Sequence, residues 1–324
     1  MVVAAQGFPQ KGKWITQDGF FLVGWGPASY IILVRHNTNG RLPMARAAAA
    51  SLPAPSKQAG DENFPVASWL LARDKRNAVM AFYRFARQAD DIADSPDLDR
   101  GHKIAQLDNF ERGLGGLSGA PVALALHGAL GGNSRLLAHA SALLQAFRRD
   151  CLCDHCHSWA DLMAYCACSA APVGRFLLDL HGEDESLHPQ ADSLCDALQV
   201  LNHLQDCGDD YTRLGRVYLP ADWMAAVGMA PAHLAACGGG APLRHVMDLM
   251  LDRVDMLLDQ ADNLPSRLKD RRLAMETAII IQIGRRLAAL LRNRDPLTGR
   301  VALSPLAYGA ACLGGVWQGL WTRA

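Results

Sequence analysis

The chain has no surplus of either charge. Its 32 Lys and Arg are matched by 32 Asp and Glu, giving zero formal net charge. A nucleic-acid binder would carry a basic excess, so that class of partner is not expected. Aromatic residues make up only 7% of the chain, and alternation of the strand type is scarce. No Gly-rich dinucleotide fingerprint follows a strand pattern, and Gly238-Gly239-Gly240 reads as a flexible joint. A bound nicotinamide such as NADPH is therefore not expected. The apolar run from Phe20 to Val34 is broken by Gly24, Gly26 and Pro27. It falls short of the ~20 residues a membrane span needs. It also starts late for a signal peptide and lacks a closing small-residue cleavage site. Nine cysteines without a well-formed export signal point to a reducing, cytoplasmic setting, with the thiols buried as small apolar groups.

What the sequence does have is helix. Half of its 324 residues are hydrophobic, which argues against disorder and allows a sizeable core. Gly and Pro punctuate the chain at helix-length intervals from about residue 61 onward. The spacing predicts helices over 68–95, 101–113, 134–150, 158–181, 190–213, 221–227, 241–262, 270–293 and 303–320, with Pro172 and Gly174 kinking the fourth. The fold class is all-α, in a single bundle spanning 61–300. Residues 1–60 read as an N-terminal extension, disordered or a mis-assigned start, with Met44 as the alternative initiator. Residues 301–324 read as an apolar C-terminal helix. With Trp317 and Trp321 near its end, it could close the bundle or lie at a membrane interface.

Two aspartate clusters dominate: Asp90-Asp91-Ile92-Ala93-Asp94 and Asp206-Cys207-Gly208-Asp209-Asp210. At about 100° per residue, Tyr83, Arg87, Asp90 and Asp94 fall within an arc of roughly 60°. Gln199, Asn202, Asp206 and Asp210 fall within roughly 80°. The remaining faces are apolar: Phe82, Phe85, Ala86, Ala89 and Ile92 on one helix, Leu198, Val200, Leu201 and Leu204 on the other. A surface helix shows the reverse proportions. Two solvated faces would be the plain alternative. Two matching narrow stripes that mix acids with amides, Tyr or Arg instead suggest a shared interior. Carboxylates gathered there repel one another unless cations intervene. Mg²⁺ suits them, since it takes hard oxygen ligands and completes its shell with water and substrate phosphates.

Taken together, these stripes resemble the squalene/phytoene synthase family. The carrying motifs are Tyr83 through Asp94; Tyr165-Cys166 with Ser169-Ala170-Ala171-Pro172-Val173-Gly174; Gln199 through Asp210; and Arg216-Val217-Tyr218-Leu219-Pro220. The match runs from about Asn63 to Leu291. It implies an isoprenoid-synthase helical bundle with a central cavity, two or three Mg²⁺ ions and ionisation of an isoprenoid diphosphate. It further implies that Asp90, Asp94, Asp206 and Asp210 hold the metal, with Asp91 and Asp209 in support. Arg87 and Arg216 would grip diphosphate oxygens, Tyr83, Tyr165 and Tyr218 would face the leaving group or the cation, and Gln199 and Asn202 would position diphosphate or water.

Within the family, Glu62 through Ser68 and Asn202 through Asp210 are most similar to the hydroxysqualene synthases of bacterial hopanoid pathways. That branch ionises presqualene diphosphate and traps the rearranged cation with water, as a carbon–oxygen lyase alongside other hopanoid-pathway enzymes. Gln205 stands where condensing relatives usually carry Arg, which would weaken the grip on a second diphosphate. The alternative is a prenyltransferase making squalene, dehydrosqualene or phytoene head-to-head. A non-catalytic assembly factor of the same fold would show eroded aspartates, and here all are intact. Cys151, Cys153, His155, Cys156, His157, Cys166 and Cys168 tempt one toward zinc, but their spacing lacks the two separated pairs that structural zinc prefers. A hydrocarbon substrate would make peripheral contact with the inner face of the membrane advantageous.

Overall fold

The computed structural model describes residues 13–15, 21–23, 73–153 and 155–321. Two short strands, β1 (Lys13–Ile15) and β2 (Phe21–Val23), pair antiparallel, a hairpin that the sequence pattern did not foreshadow. The Met44 start and the remaining expectations for residues 1–60 fall outside the described residues. From Arg73 onward the regular elements are helices: α1 (Arg73–Asp94), α2 (Arg100–Leu114), α3 (Pro121–Ala129), α4 (Ser134–Leu152), α5 (Trp159–Ser169), α6 (Ala171–His181), α7 (His188–Asp209), α8 (Ala221–Ala226), α9 (Gly240–Ala261), α10 (Leu264–Arg267), α11 (Arg271–Asn293) and α12 (Pro305–Trp321). The all-α expectation holds.

The helix boundaries depart from expectation where periodicity is silent. Helix α3 was not anticipated, because Pro121–Ala129 is apolar nearly all round and shows no polar face to mark a helical period. Helix α10 is a single short turn. The stretch expected as one kinked helix is two, broken at Ala170 (φ −119°, ψ −51°), with Pro172 in the first turn of α6, where its missing N–H costs nothing. Gly174 then lets α6 approach α7, since a Cβ there would lie 2.7 Å from Cys195 Sγ.

Two cores form. The first joins α1, α2, α3, α4 and α6: Phe85 packs on Phe110 at 5.5 Å, and Phe82 stacks on Phe176 at 4.0 Å. Beside it, the nearly buried Asp179 carboxylate accepts from Arg135 and lies within hydrogen-bond reach of His139 and His188, tying α4 to α6 and α7. The second core is built from Leu201 and Leu204 of α7, Met250, Val254 and Leu258 of α9, and Ile281, Leu287 and Leu291 of α11. Helix α12 seats Ala311 on Ile279 and Ile283, so the C-terminal helix closes the bundle. Its outer Leu306 and Leu313 remain 87% and 75% exposed. Among the described residues no helix is long and apolar enough to cross a membrane.

The wide apolar face of α1 thus lies in the first core, which leaves its narrow polar stripe turned the other way. Phe85→Ala should therefore cost about 3–5 kcal/mol of unfolding free energy in urea titrations. A loss below about 1 kcal/mol would mean that this face does not anchor the helix.

Candidate active site

Three walls meet at the seam between the two cores. The first is the C-terminal half of α1. The Arg87 guanidinium lies 2.8 Å from Asp90 and donates to Asp91 Oδ1 at 2.8 Å. Asp94 accepts from Arg216 Nη1 at 2.6 Å, and Tyr83 lies partly buried on the same helix. These carboxylates sit at the negative end of the helix dipole, which adds to their mutual repulsion. Cations answer on the other side: Lys103 Nζ and Arg216 Nη2 both donate to the Ala93 carbonyl, at 2.8 and 3.0 Å.

The second wall is the C-terminal half of α7. After Asp209 the α-helix gives way to a π turn over Asp210–Leu214, closed by Gly215 at φ +70°, a conformation glycine adopts without strain. Such turns are rare and frequent at functional sites. This one brings the Arg216 N–H onto the Asp210 carbonyl at 3.1 Å, so the buried Arg216 joins both aspartate motifs.

The third wall comes from α4, α5 and the segment after Arg216. Asp150 accepts from Tyr165 Oη at 2.9 Å and Tyr218 Oη at 3.0 Å. The buried His203 ring stacks on Tyr218 with centroids 3.7 Å apart, and its Nε2 is 3.1 Å from Gln199 Nε2. The Cys–His stretch supplies backbone here. Cys156 N–H donates to the Val217 carbonyl at 3.0 Å, and Ala221 N–H donates to the Cys156 carbonyl at 3.0 Å. A small cleft is lined by Arg149, Asp150, Cys153, His155, Cys156, Tyr165, Arg216 and Tyr218.

Electrostatics follow from this crowding. Burial, and then Asp94 close by, push Asp90 up to about 8 against the pull of Arg87, with Asp150 and Asp91 adding to the rise. Burial also raises Asp150, opposed by Arg216 and the two tyrosine hydroxyls. Both tyrosines are held well above their ordinary range by burial and by Asp150, so they stay neutral donors. Burial pushes the Cys156 thiol up to about 12.

Most of the residues singled out in the sequence line these walls, but not all as expected. Asp206 and Asp209 are exposed rather than interior. They fall in the last turn of α7, whose buried face is carried there by Leu204 and Cys207. Asp210 and Asn202 are partly buried. Gln205 is buried, and its amide donates to the Val301 carbonyl at 2.6 Å. That bond locks α7 to the segment before α12, so the inference drawn from a missing charge at this position loses its footing. Sequence reading missed Asp150 and His203. Asp150 was detectable: it lies seven residues after Leu143 on the buried stripe of α4, an acid where the helical period calls for an apolar side chain.

Among the described residues no three His, Cys, Asp or Glu side chains converge closely enough to cage a metal by themselves. The donor chemistry of the aspartate walls still suits Mg²⁺, which keeps several waters and binds through one or two carboxylates plus phosphate rather than in an all-protein cage. The crowding that raises Asp90 is what such a cation would relieve. Asp90 and Asp94 on α1, with Asp206 at the end of α7 and Asp210 opening the π turn, are the oxygens that could hold it.

Sequence and structure comparisons point one way. The squalene/phytoene synthase family profile matches residues 57–307. The chain belongs to the squalene/phytoene synthase family. It is an enzyme of that family. It is 42% identical over 244 residues to the hydroxysqualene synthase of Zymomonas mobilis, covering 74% of this chain and 82% of that one. It is 30% identical over 273 residues to the phytoene synthase of Mycobacterium tuberculosis, covering 77% and 88%. Among solved structures, squalene synthase HpnC from Alicyclobacillus acidocaldarius superposes with a TM-score of 0.62 at 30% identity, covering 70% of this chain and 86% of that chain.

The raised Asp90 makes a prediction for metal-free protein. Its folded form binds the proton more tightly than the unfolded chain does, so ionisation costs stability as pH rises from about 4 to about 8. Asp90→Asn removes that titration. Its melting temperature should gain on the parent through this window and hold a constant lead above it. A pH-independent difference would contradict the crowding.

Proposed function

We propose that this enzyme ionises presqualene diphosphate with Mg²⁺ and traps the rearranged carbocation with water, giving hydroxysqualene without a nicotinamide. The observation that carries this reading is the junction at Arg216. It draws two acidic helix ends and an aromatic Tyr165–Tyr218–His203 layer into one cleft, in a chain that aligns over most of its length with a hydroxysqualene synthase. Asp90, Asp94, Asp206 and Asp210 would hold the metal, supported by Asp91 and Asp209. Bound there, Mg²⁺ would neutralise charge growing on the departing diphosphate.

The chain's own groups do the rest. Arg87 and Arg216 are permanently charged and already lie along the carboxylates, so diphosphate oxygens would compete for them with Asp91 and Asp94. The Tyr165 and Tyr218 rings offer their faces to a cation, with Asp150 fixing both hydroxyls and so the ring orientations. Tyr83 lies on the α1 wall for contact with the diphosphate end. Gln199 fixes the His203 ring, and Asn202 borders the same stripe. A presqualene substrate requires a preceding head-to-head condensation, so a separate prenyltransferase must supply it. The exposed Leu306 and Leu313 on α12 offer an apolar surface through which the enzyme could rest on a membrane that stores such lipids.

The decisive experiment incubates the purified chain with Mg²⁺ and presqualene diphosphate in H₂¹⁸O, without NADPH. Hydroxysqualene carrying ¹⁸O is expected. Efficient conversion of farnesyl diphosphate alone to a C30 product, or a strict NADPH requirement, would replace this reading with a condensing synthase. In the same assay, Asp90→Asn should lower turnover by about 10³-fold or more, as expected when charge stabilisation of the leaving group is lost. Near-parental turnover would remove Asp90 from the metal site.

A further inference from the structure

The polar stripe of α7 does not end at Gln199. Asp192, Asp196, Gln199, His203, Asp206 and Asp210 fall within one arc of about 80°, so Asp196 lies one turn deeper than Gln199 on the same face. On α5, which packs against α7, Ser169 sits one turn beyond Tyr165, about 40° away around the helix. A second polar layer therefore underlies the Tyr165–His203 layer. Cys166, fully buried on α5, lies close enough to Asp196 to feel its charge.

Two atoms of this deeper layer are anomalous. Ser169 Oγ and Asp196 Oδ1 are both buried and make no hydrogen bond. The neighbouring Asp192 is held by Arg175 at 2.8 and 2.5 Å, so the nearest cation is already engaged. Leu162 of α5 and Leu194 and Ala197 of α7 are buried in the apolar second core. A carboxyl with an unpartnered oxygen in such a place does nothing for the fold. Two buried orphan polar atoms on the packed helices α5 and α7 are the kind of group that an ordered water satisfies.

We propose that Ser169 Oγ and Asp196 Oδ1 together hold the water that captures the carbocation, and that Asp196 takes up the proton released. This rests on the hydroxysqualene reading. The water oxygen forms the new C–O bond with the cationic carbon. The oxonium proton passes to the Asp196 carboxylate, leaving a neutral alcohol, and no oxidant or reductant is needed. Geometry and chemistry agree with the role. At 1.5 Å per residue Asp196 lies about 15 Å along α7 from Asp206, a span of the order filled by a diphosphate, the reacting carbons and one water in series. Burial and Asp192 raise Asp196 to about 7 against Arg175, a proton affinity suited to a neutral-pH acceptor.

The test gives the parent, Asp196→Asn, Asp196→Glu and Ser169→Ala full-length proteins presqualene diphosphate and Mg²⁺, and follows diphosphate release and product composition separately. In Asp196→Asn, diphosphate release should stay within about threefold of the parent while the hydroxysqualene fraction falls about tenfold or more, replaced by hydrocarbons formed by proton loss. Asp196→Glu should recover part of the alcohol, and Ser169→Ala should show a smaller shift in the same direction. An unchanged product ratio in Asp196→Asn would overturn the proposal. So would a parallel loss of diphosphate release and alcohol, which would place Asp196 in the ionisation machinery or the fold. A parent that forms no alcohol would instead refute the underlying hydroxysqualene reading, a result visible before any variant is made.

Discussion

Arg216 is the constraint on which the site depends. One nearly buried guanidinium holds Asp94 and the carbonyl end of α1, while its own backbone N–H holds the carbonyl of Asp210. Asp150 lies close enough to oppose its own burial through the same charge. Removing a buried cation from such a group leaves several uncompensated negative charges, which costs far more than a surface ion pair returns. The π turn and Gly215 exist to deliver Arg216 to this point. The strand-like pairing of residues 155–156 with Val217 then delivers Tyr218 to Asp150.

The arrangement runs against ordinary helix design. Acidic side chains are favoured at helix N-termini, yet α1 and α7 each end in a cluster of them. Both helices therefore direct carboxylates and dipole ends of one sign toward a common cleft. Lys103, Arg87 and Arg216 offset only part of that charge, as the raised Asp90 shows. A fold optimised for stability alone would not concentrate negative charge this way. An enzyme that must attract cations, and through them a diphosphate, gains from it.

The bundle and its two polar stripes were legible because helical period is written into side-chain chemistry. Two apolar faces around Phe85 and Leu204 announced burial, and the acids on the opposite arcs announced a cleft. What escaped notice had no periodic signal or depended on contacts distant in sequence. Helix α3 has no polar face to contrast with its apolar one. Gln205 looked like a site residue because of its neighbours, but its partner, the Val301 carbonyl, lies 96 residues away. The exposure of Asp206 depends on where α7 ends, and helix ends are the least certain feature of a periodic pattern. Asp150 left only the signal of an acid on the buried stripe of α4. It stood alone, without a motif, and only the meeting of α4, α5 and the Tyr218 segment reveals its two hydroxyl partners.

The layering of the cleft also separates charge from proton transfer. Tyr165 and Tyr218 are held neutral, and Asp150, which binds both, faces Arg216 as well. The tyrosine rings can face a cation with π-density and offer it no base, and the His203 nitrogens in the same layer lie 3.1 Å from the Gln199 amide and 3.8 Å from Asp210. Such a surface suits a carbocation that must rearrange before it is quenched, since a base in contact with it would end the reaction early as an alkene. A proton acceptor is then of use only beyond that layer, where the rearranged carbon arrives last. Along α7 the carboxylate beyond it that no arginine holds is Asp196.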